Sequence, residues 1–203
     1  MTETGARWEA VYRTKQDDET SWFEPVPQLS LDLIAGTGAG PDAAIVDVGA
    51  GASRLIDGLL ARGYTNLTAL DLSDSALART RARLAPDAPV TWVVGDLRDW
   101  RPATEMDVWH DRAVFHFLTD EDGQAAYLAT LDAALRSGGH AIIGTFAPDG
   151  PAACSGLPVM RYDADTLAAR LGAGYAMTRT LRHAHHTPWG SVQNFHTGVF
   201  RKL

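Results

Sequence analysis

The chain has 203 residues, 45% of them hydrophobic and 21% charged, with a formal net charge of −7 at pH 7. These values suit one soluble domain with a sizeable core, and with no basic run in the sequence they disfavour a nucleic-acid partner. The single cysteine, Cys154, excludes an intrachain disulfide and points to the cytoplasm; residues 1–10 lack a leader pattern, and no apolar stretch approaches the ~20 residues needed to cross a bilayer.

Residues 7–14 read as a short helix with Trp8, Val11 and Tyr12 on one side. A polar loop follows, then Trp22 and Phe23 ahead of a Pro-x-Pro turn. A second helix over 28–35 carries Leu29, Leu31, Leu33 and Ile34. Two readings of Trp22 and Phe23 stand side by side: they pack this helix onto a sheet, or they anchor a lid over a cleft.

Ile45-Val46-Asp47-Val48-Gly49-Ala50-Gly51-Ala52-Ser53 reads as a short buried parallel strand breaking into a glycine turn and a helix. Gly49 and Gly51 permit a tight turn and a close approach of a ligand to the backbone. Ser53 is placed to cap the helix that carries Leu55, Ile56, Leu59 and Leu60. The next apolar run ends in Asp71, 20 residues after Gly51, the spacing at which a βαβ unit offers a carboxylate to ribose hydroxyls. A helix from Ser73 or Asp74 to Leu84 presents Arg79, Arg81 and Arg83 on what reads as a solvated face.

Val90-Thr91-Trp92-Val93-Val94 is a third strand, followed by Gly95-Asp96-Leu97 on the ligand edge of such a sheet. Met106-Asp107-Val108-Trp109-His110 is a fourth, across the switch point from the first strand, so the stretch from His110 through Asp111 to His116 borders the ligand. A helix over 121–135 turns Ala125, Leu128, Leu131 and Leu135 inward. Ser137-Gly138-Gly139 reads as its cap, and residues 140–146 as a fifth strand. Residues 147–160 form a Pro/Gly-rich loop, with Cys154 an inert small residue in it. After a helix over 164–171, residues 175–185 and 191–201 read as a terminal hairpin. The hairpin histidines His183, His185 and His186 lack the ligand set of a metal site, because neighbouring strand residues point to opposite faces and no cysteine or acid joins them.

The ordered set Asp47-Val48-Gly49-Ala50-Gly51, Asp71, Gly95-Asp96 and Gly138-Gly139 resembles class I S-adenosylmethionine (SAM)-dependent methyltransferases, more loosely the small bacterial thiol and trans-aconitate methyltransferases and related lysine methyltransferases. The resemblance implies an α/β fold: a doubly wound, seven-stranded, mostly parallel sheet with an antiparallel C-terminal hairpin. It spans one domain, with residues 1–40 a helical lid and 41–203 a Rossmann-like core. It implies a SAM site at Asp47, Gly49, Ala50, Gly51 and His110, with Asp71 and Leu72 at the ribose and Asp96 and Leu97 at the adenine.

In-line methyl transfer needs alignment and a dry site, and needs a general base only when the acceptor arrives protonated. His116 is the first candidate for that base, with Tyr12, Asp111 and His186 behind it. Tyr12, Trp22, Arg161 and His186 are the substrate-side candidates. A small-molecule acceptor is expected. A protein lysine, a non-catalytic SAM-binding module and a nicotinamide enzyme are the alternatives, the last disfavoured by Arg54 where G-x-G-x-x-G needs its third glycine.

Overall fold

The computed structural model describes residues 3–203. Helix α1 spans Glu3–Thr14 and α2 spans Gln28–Gly36. The core then alternates strand and helix: β1 Ile45–Val48, α3 Leu55–Ala61, β2 Leu67–Asp71, α4 Asp74–Arg83 and β3 Val90–Val94. Next come β4 Met106–Arg112, α5 Glu121–Ala134 and β5 Leu135–Phe146. A two-residue hairpin pairs β6 Ala153–Cys154 with β7 Leu157–Pro158; α6 spans Ala164–Leu171, and β8 Tyr175–His186 with β9 Val192–Lys202 end the chain.

The main sheet has seven strands in the order β3-β2-β1-β4-β5-β9-β8. The pairings from β3 to β5 are parallel, while β9 runs antiparallel between β5 and β8. The order reverses between β1 and β4, which opens the crevice where ligands of doubly wound sheets bind. All four residues of β1 are buried, as a central parallel strand requires. One apolar cluster on the α2/α3 side gathers Leu31, Ile34, Ile56, Leu59 and Leu77; the other, on the α5/α6 side, gathers Trp109, Phe115, Tyr127, Leu131 and Phe200.

The fold departs from the sequence expectation in three places. Helix α5 turns Gln124, Tyr127 and Thr130 inward with Leu131, and Ala125 is exposed, because the Tyr127 hydroxyl finds a buried acceptor in Asp111 at 2.7 Å. Gly138 and Gly139 do not cap that helix. It ends at Ala134, and the glycines take up the irregular pairing between Met106↔Leu135 and Val108↔His140, with Gly138 at φ +78°. The loop after β5 is folded into the β6–β7 hairpin, whose turn residues Ser155 and Gly156 both have positive φ.

Candidate functional site

Carboxylates collect where the parallel strands end. Asp47 lies in β1, Asp71 ends β2, and Asp96 follows β3; all three line one cavity of about 420 Å³. Its floor is the turn after β1. Gly49 has φ +64°, and a Cβ there would run into Val114; Gly51 has φ +55°, and a Cβ there would occupy the place of the Tyr12 hydroxyl. The floor is thus closed from both sides around two residues that only glycine suits.

Each acid has a defined partner. Asp71 accepts from the Gly51 N–H and the Ser73 N–H, both at 2.8 Å, and burial pushes its pKa up to about 6 against those hydrogen bonds. Asp47 accepts from His110 Nδ1 at 2.7 Å, and His110 Nε2 lies 2.9 Å from the Ser30 hydroxyl. Asp47 and His110 sit opposite each other in the β1–β4 ladder, so the pair is fixed by strand register. Asp96 takes both ends of the Arg98 guanidinium, at 2.9 and 2.6 Å, which holds its carboxyl below the usual range.

The other half of the cavity is aromatic. Trp8, Trp22, Phe117, Phe146 and Phe195 line it, with Cys154 and Pro158 of the small hairpin. Trp8 meets Trp22 and Phe117 edge-on, at centroid distances of 5.8 and 5.3 Å. Trp22 also faces Tyr12, so it bridges α1 to the cavity instead of packing α2 onto the sheet. A charged pair closes this half. Arg112 lies 3.1 Å from Glu24 and donates to the Trp22 carbonyl at 2.9 Å, while His185 Nε2 reaches the Ser21 carbonyl at 2.6 Å. Burial opposes ionisation of Glu24, but His185 and Arg112 outweigh it and keep the carboxyl below the usual range.

The N-terminal segment is laid across this cavity and pinned at many points. Arg7 donates to the Ser155 carbonyl at the hairpin tip at 2.6 Å. Glu9 accepts from the Ser73 and Ser75 hydroxyls at 2.7 and 2.5 Å, and these bonds lower its pKa to about 2. Arg79 donates to the Tyr12 carbonyl and pairs with Asp17 at 3.0 Å. Arg79 and Arg83 are therefore not part of a solvated face: they hold the N-terminal segment and α3, while Arg81 is exposed and lies over the Trp92 ring.

Ten of the sequence-predicted residues share this cavity wall: Asp47, Gly49, Ala50, Asp71, Leu72, Asp96, Leu97 and His110, with Tyr12 and Trp22 on the N-terminal side. Gly51 lies just beneath, covered by Tyr12. Four others are placed elsewhere. His116 is fully buried, with its ring against Phe117 and Phe146, no hydrogen bond on either nitrogen, and a pKa lowered to about 3 by burial. It lies behind Phe117 and Phe146 and does not line the cavity. Asp111 faces away from the cavity because strand side chains alternate. It accepts from the Val114 and Phe115 N–H groups and the Tyr127 hydroxyl, which makes it the cap of the turn after β4. His186 is exposed on the outer face of β8, while its neighbour His185 points in. Arg161 is exposed and donates to the Gly150 carbonyl.

Sequence reasoning did not single out Glu24, Arg112, Phe146, Cys154 and Phe195, all on the wall, where Gln193 of the terminal hairpin also lies. The position of Arg112, a charge closing a buried strand at the switch point, is a signal that was there to read. The others reach the cavity only through the packing of the N-terminal segment and β9.

Comparison with known proteins agrees with this geometry. Residues 45–139 match the family model described as a methyltransferase domain. Nodulation protein S of Rhizobium fredii is 30% identical over 95 residues, 47% of this chain and 54% of that protein. The chain thus spans about half the length of the curated relatives it matches. The N-methyltransferase NodS of Bradyrhizobium japonicum WM9, solved with S-adenosyl-L-homocysteine, superposes with a TM-score of 0.76 at 17% identity, covering 99% of each chain. The 1,6-didemethyltoxoflavin-N1-methyltransferase of Burkholderia thailandensis superposes at 0.74 with 22% identity, covering 98% of this chain and 87% of that one. These likenesses extend the match from the central strands to the whole fold.

Proposed function

We propose that this chain, which carries a class I SAM-dependent methyltransferase domain, uses it to methylate a small-molecule nucleophile. The observation that carries the reading is the row of Asp47, Asp71 and Asp96 along a glycine-floored cavity at the switch point. Three carboxylates suit hydroxyls, an amino group and a cationic centre, and they repel phosphates. The donor set therefore fits SAM and not a dinucleotide. SAM, when bound, supplies a methyl group already activated by its sulfonium.

The chain's residues do the rest by placement. Asp71 would receive the ribose hydroxyls while it holds the Gly51 turn in shape. Asp96 and the buried Leu97 would meet the adenine. Asp47, oriented by His110, would face the cationic methionine end. Tyr12 and Trp22, on a segment fastened to α4 and to the β6–β7 hairpin, would close the cavity as a lid and exclude water. The aromatic half would hold the acceptor in line with the methyl group, which is where most of the rate gain of such a transfer arises.

No helix among the described residues is long and apolar enough to cross a membrane. With the single cysteine and the acidic balance, this supports a cytoplasmic enzyme acting on small molecules and not on nucleic acid. The test is turnover: the protein incubated with methyl-labelled SAM and a panel of small-molecule acceptors, followed by mass spectrometry. A labelled product with stoichiometric S-adenosylhomocysteine is expected. SAM binding with no transfer to any acceptor would reduce the chain to a binding module.

A further inference from the structure

The acceptor half of the cavity lacks something that most acceptors need. Every carboxylate on the wall is already engaged. Asp17 pairs with Arg79 and Arg83, Glu24 with Arg112, Asp47 with His110, and Asp96 with Arg98. Asp71 holds two backbone N–H groups, and Asp120 caps α5 through the Gly123 N–H. His110, the one imidazole on the wall among the described residues, has a partner on each nitrogen. Cys154 is kept as a thiol, since burial raises its pKa. His116 is sealed behind Phe117 and Phe146. Among the described residues no base stands unpartnered on the wall, so one could take a proton from the acceptor only by giving up a bond it already makes; the Tyr12 phenol is kept protonated by burial.

On the Trp22 side of the cavity Arg112 is neutralised by Glu24, beside the rings of Trp8, Trp22, Phe117 and Phe195. An anion would lose its hydration there without a counter-charge, and an alkylammonium would exchange the full hydration shell of its N–H groups for ring faces alone. A flat π-system would gain edge and face contacts with the rings at little cost in rotamer entropy. Gln193, whose amide makes no side-chain hydrogen bond among the described residues, supplies a neutral donor and acceptor on that wall.

We infer that the acceptor is a planar, uncharged heteroaromatic molecule whose ring nitrogen carries its lone pair at neutral pH. The inference rests on the methyltransferase reading and narrows it to a substrate class. In the transfer, the ring nitrogen's lone pair forms the new N–C bond as the methyl carbon's bond to sulfur breaks. The electron pair of that bond stays on sulfur and the positive charge passes to the ring. No proton is removed, so no base is needed. An alkylamine would first have to lose a proton that only an already bonded group could accept.

The test uses the full chain loaded with S-adenosylhomocysteine and three probes of similar size: isoquinoline, cyclohexylamine and benzoate. Calorimetric titration should show isoquinoline binding at least roughly tenfold tighter than either charged probe. Gln193→Ala should weaken isoquinoline several-fold while S-adenosylhomocysteine affinity stays within about threefold, which also serves as the control for folding, and Trp22→Ala should weaken isoquinoline at least as much. With SAM in place, isoquinoline should yield N-methylisoquinolinium. Equal or tighter binding of a charged probe overturns the inference, as does failure of isoquinoline to bind a chain that binds S-adenosylhomocysteine. Failure of S-adenosylhomocysteine itself to bind would instead refute the methyltransferase reading.

Discussion

His110 Nδ1 lies 2.7 Å from Asp47 Oδ1, and the two residues face each other across paired strands β1 and β4 with almost no exposure. The pair straddles the switch point of the sheet. It therefore joins the strand that starts the glycine turn to the strand that carries Arg112 and the turn capped by Asp111. Asp47→Ala leaves a buried imidazole N–H without its acceptor. The expected loss is about 1–3 kcal/mol of stability, read from urea denaturation, and Ser30→Ala should cost less because it removes one neutral hydroxyl. Equal stability of Asp47→Ala and wild type would show that the pair holds nothing.

The glycine floor makes a second, more selective prediction. Gly49→Ala and Gly51→Ala each force a Cβ onto a left-handed residue, at about 1–3 kcal/mol of strain, and each adds a collision. The partners differ: Val114 for Gly49, Tyr12 for Gly51. Val114→Ala should partly restore Gly49→Ala, and Tyr12→Ala should partly restore Gly51→Ala, with no cross-rescue. Thermal melting of the four double variants reads this out.

His116 should be dispensable for turnover. Its nitrogens touch nothing polar, and His116→Leu removes two unsatisfied groups without opening a large void. Its stability at pH 7 is expected within about 1 kcal/mol of wild type. The pH dependence carries the sign. Burial lowers the folded pKa to about 3 from 6.5, so between those values the unfolded chain binds a proton that the folded chain refuses. Wild type must therefore lose stability as pH falls below about 6.5, and His116→Leu must lose less over the same range. Parallel pH profiles for the two proteins would contradict the buried, neutral imidazole.

The N-terminal segment should open before the core does. Its hold on the body runs through Arg7, Glu9, Asp17, Trp22 and Glu24 more than through a continuous apolar interface. Glu9→Gln weakens the charge-assisted bonds to Ser73 and Ser75 and should speed hydrogen exchange in α1 several-fold, by about 1 kcal/mol of opening free energy. Exchange in β1 and β4 should not change. S-adenosylhomocysteine should slow exchange in α1; no effect of the ligand there would remove the lid reading.

Most of the frame was legible because its signals are local. The run Ile45–Val48, the two glycines and the terminal acids of β2 and β3 each declare a strand end by residue type alone, and a parallel sheet then puts those ends together. The candidate site was legible on the side of the three acids for the same reason. The aromatic half was not. Phe195 and Gln193 come from β9, Cys154 from a two-residue hairpin, and Trp8 and Trp22 from a segment whose position depends on arginines in α4. Those contacts span up to 164 residues of sequence, and no periodicity encodes them. Residue type suggests acid–base chemistry at His116 and His186, but burial without partners takes His116 off the cavity wall and strand alternation turns His186 outward.

The most direct measurement is a calorimetric titration of S-adenosylhomocysteine and of NAD into wild type and Asp71→Asn. The account predicts that S-adenosylhomocysteine binds wild type, that NAD does not, and that Asp71→Asn weakens binding by roughly 10- to 100-fold, the loss of a charge-assisted hydrogen bond to a hydroxyl. Binding of NAD in place of the adenosyl ligand, or S-adenosylhomocysteine binding untouched by Asp71→Asn, would contradict it.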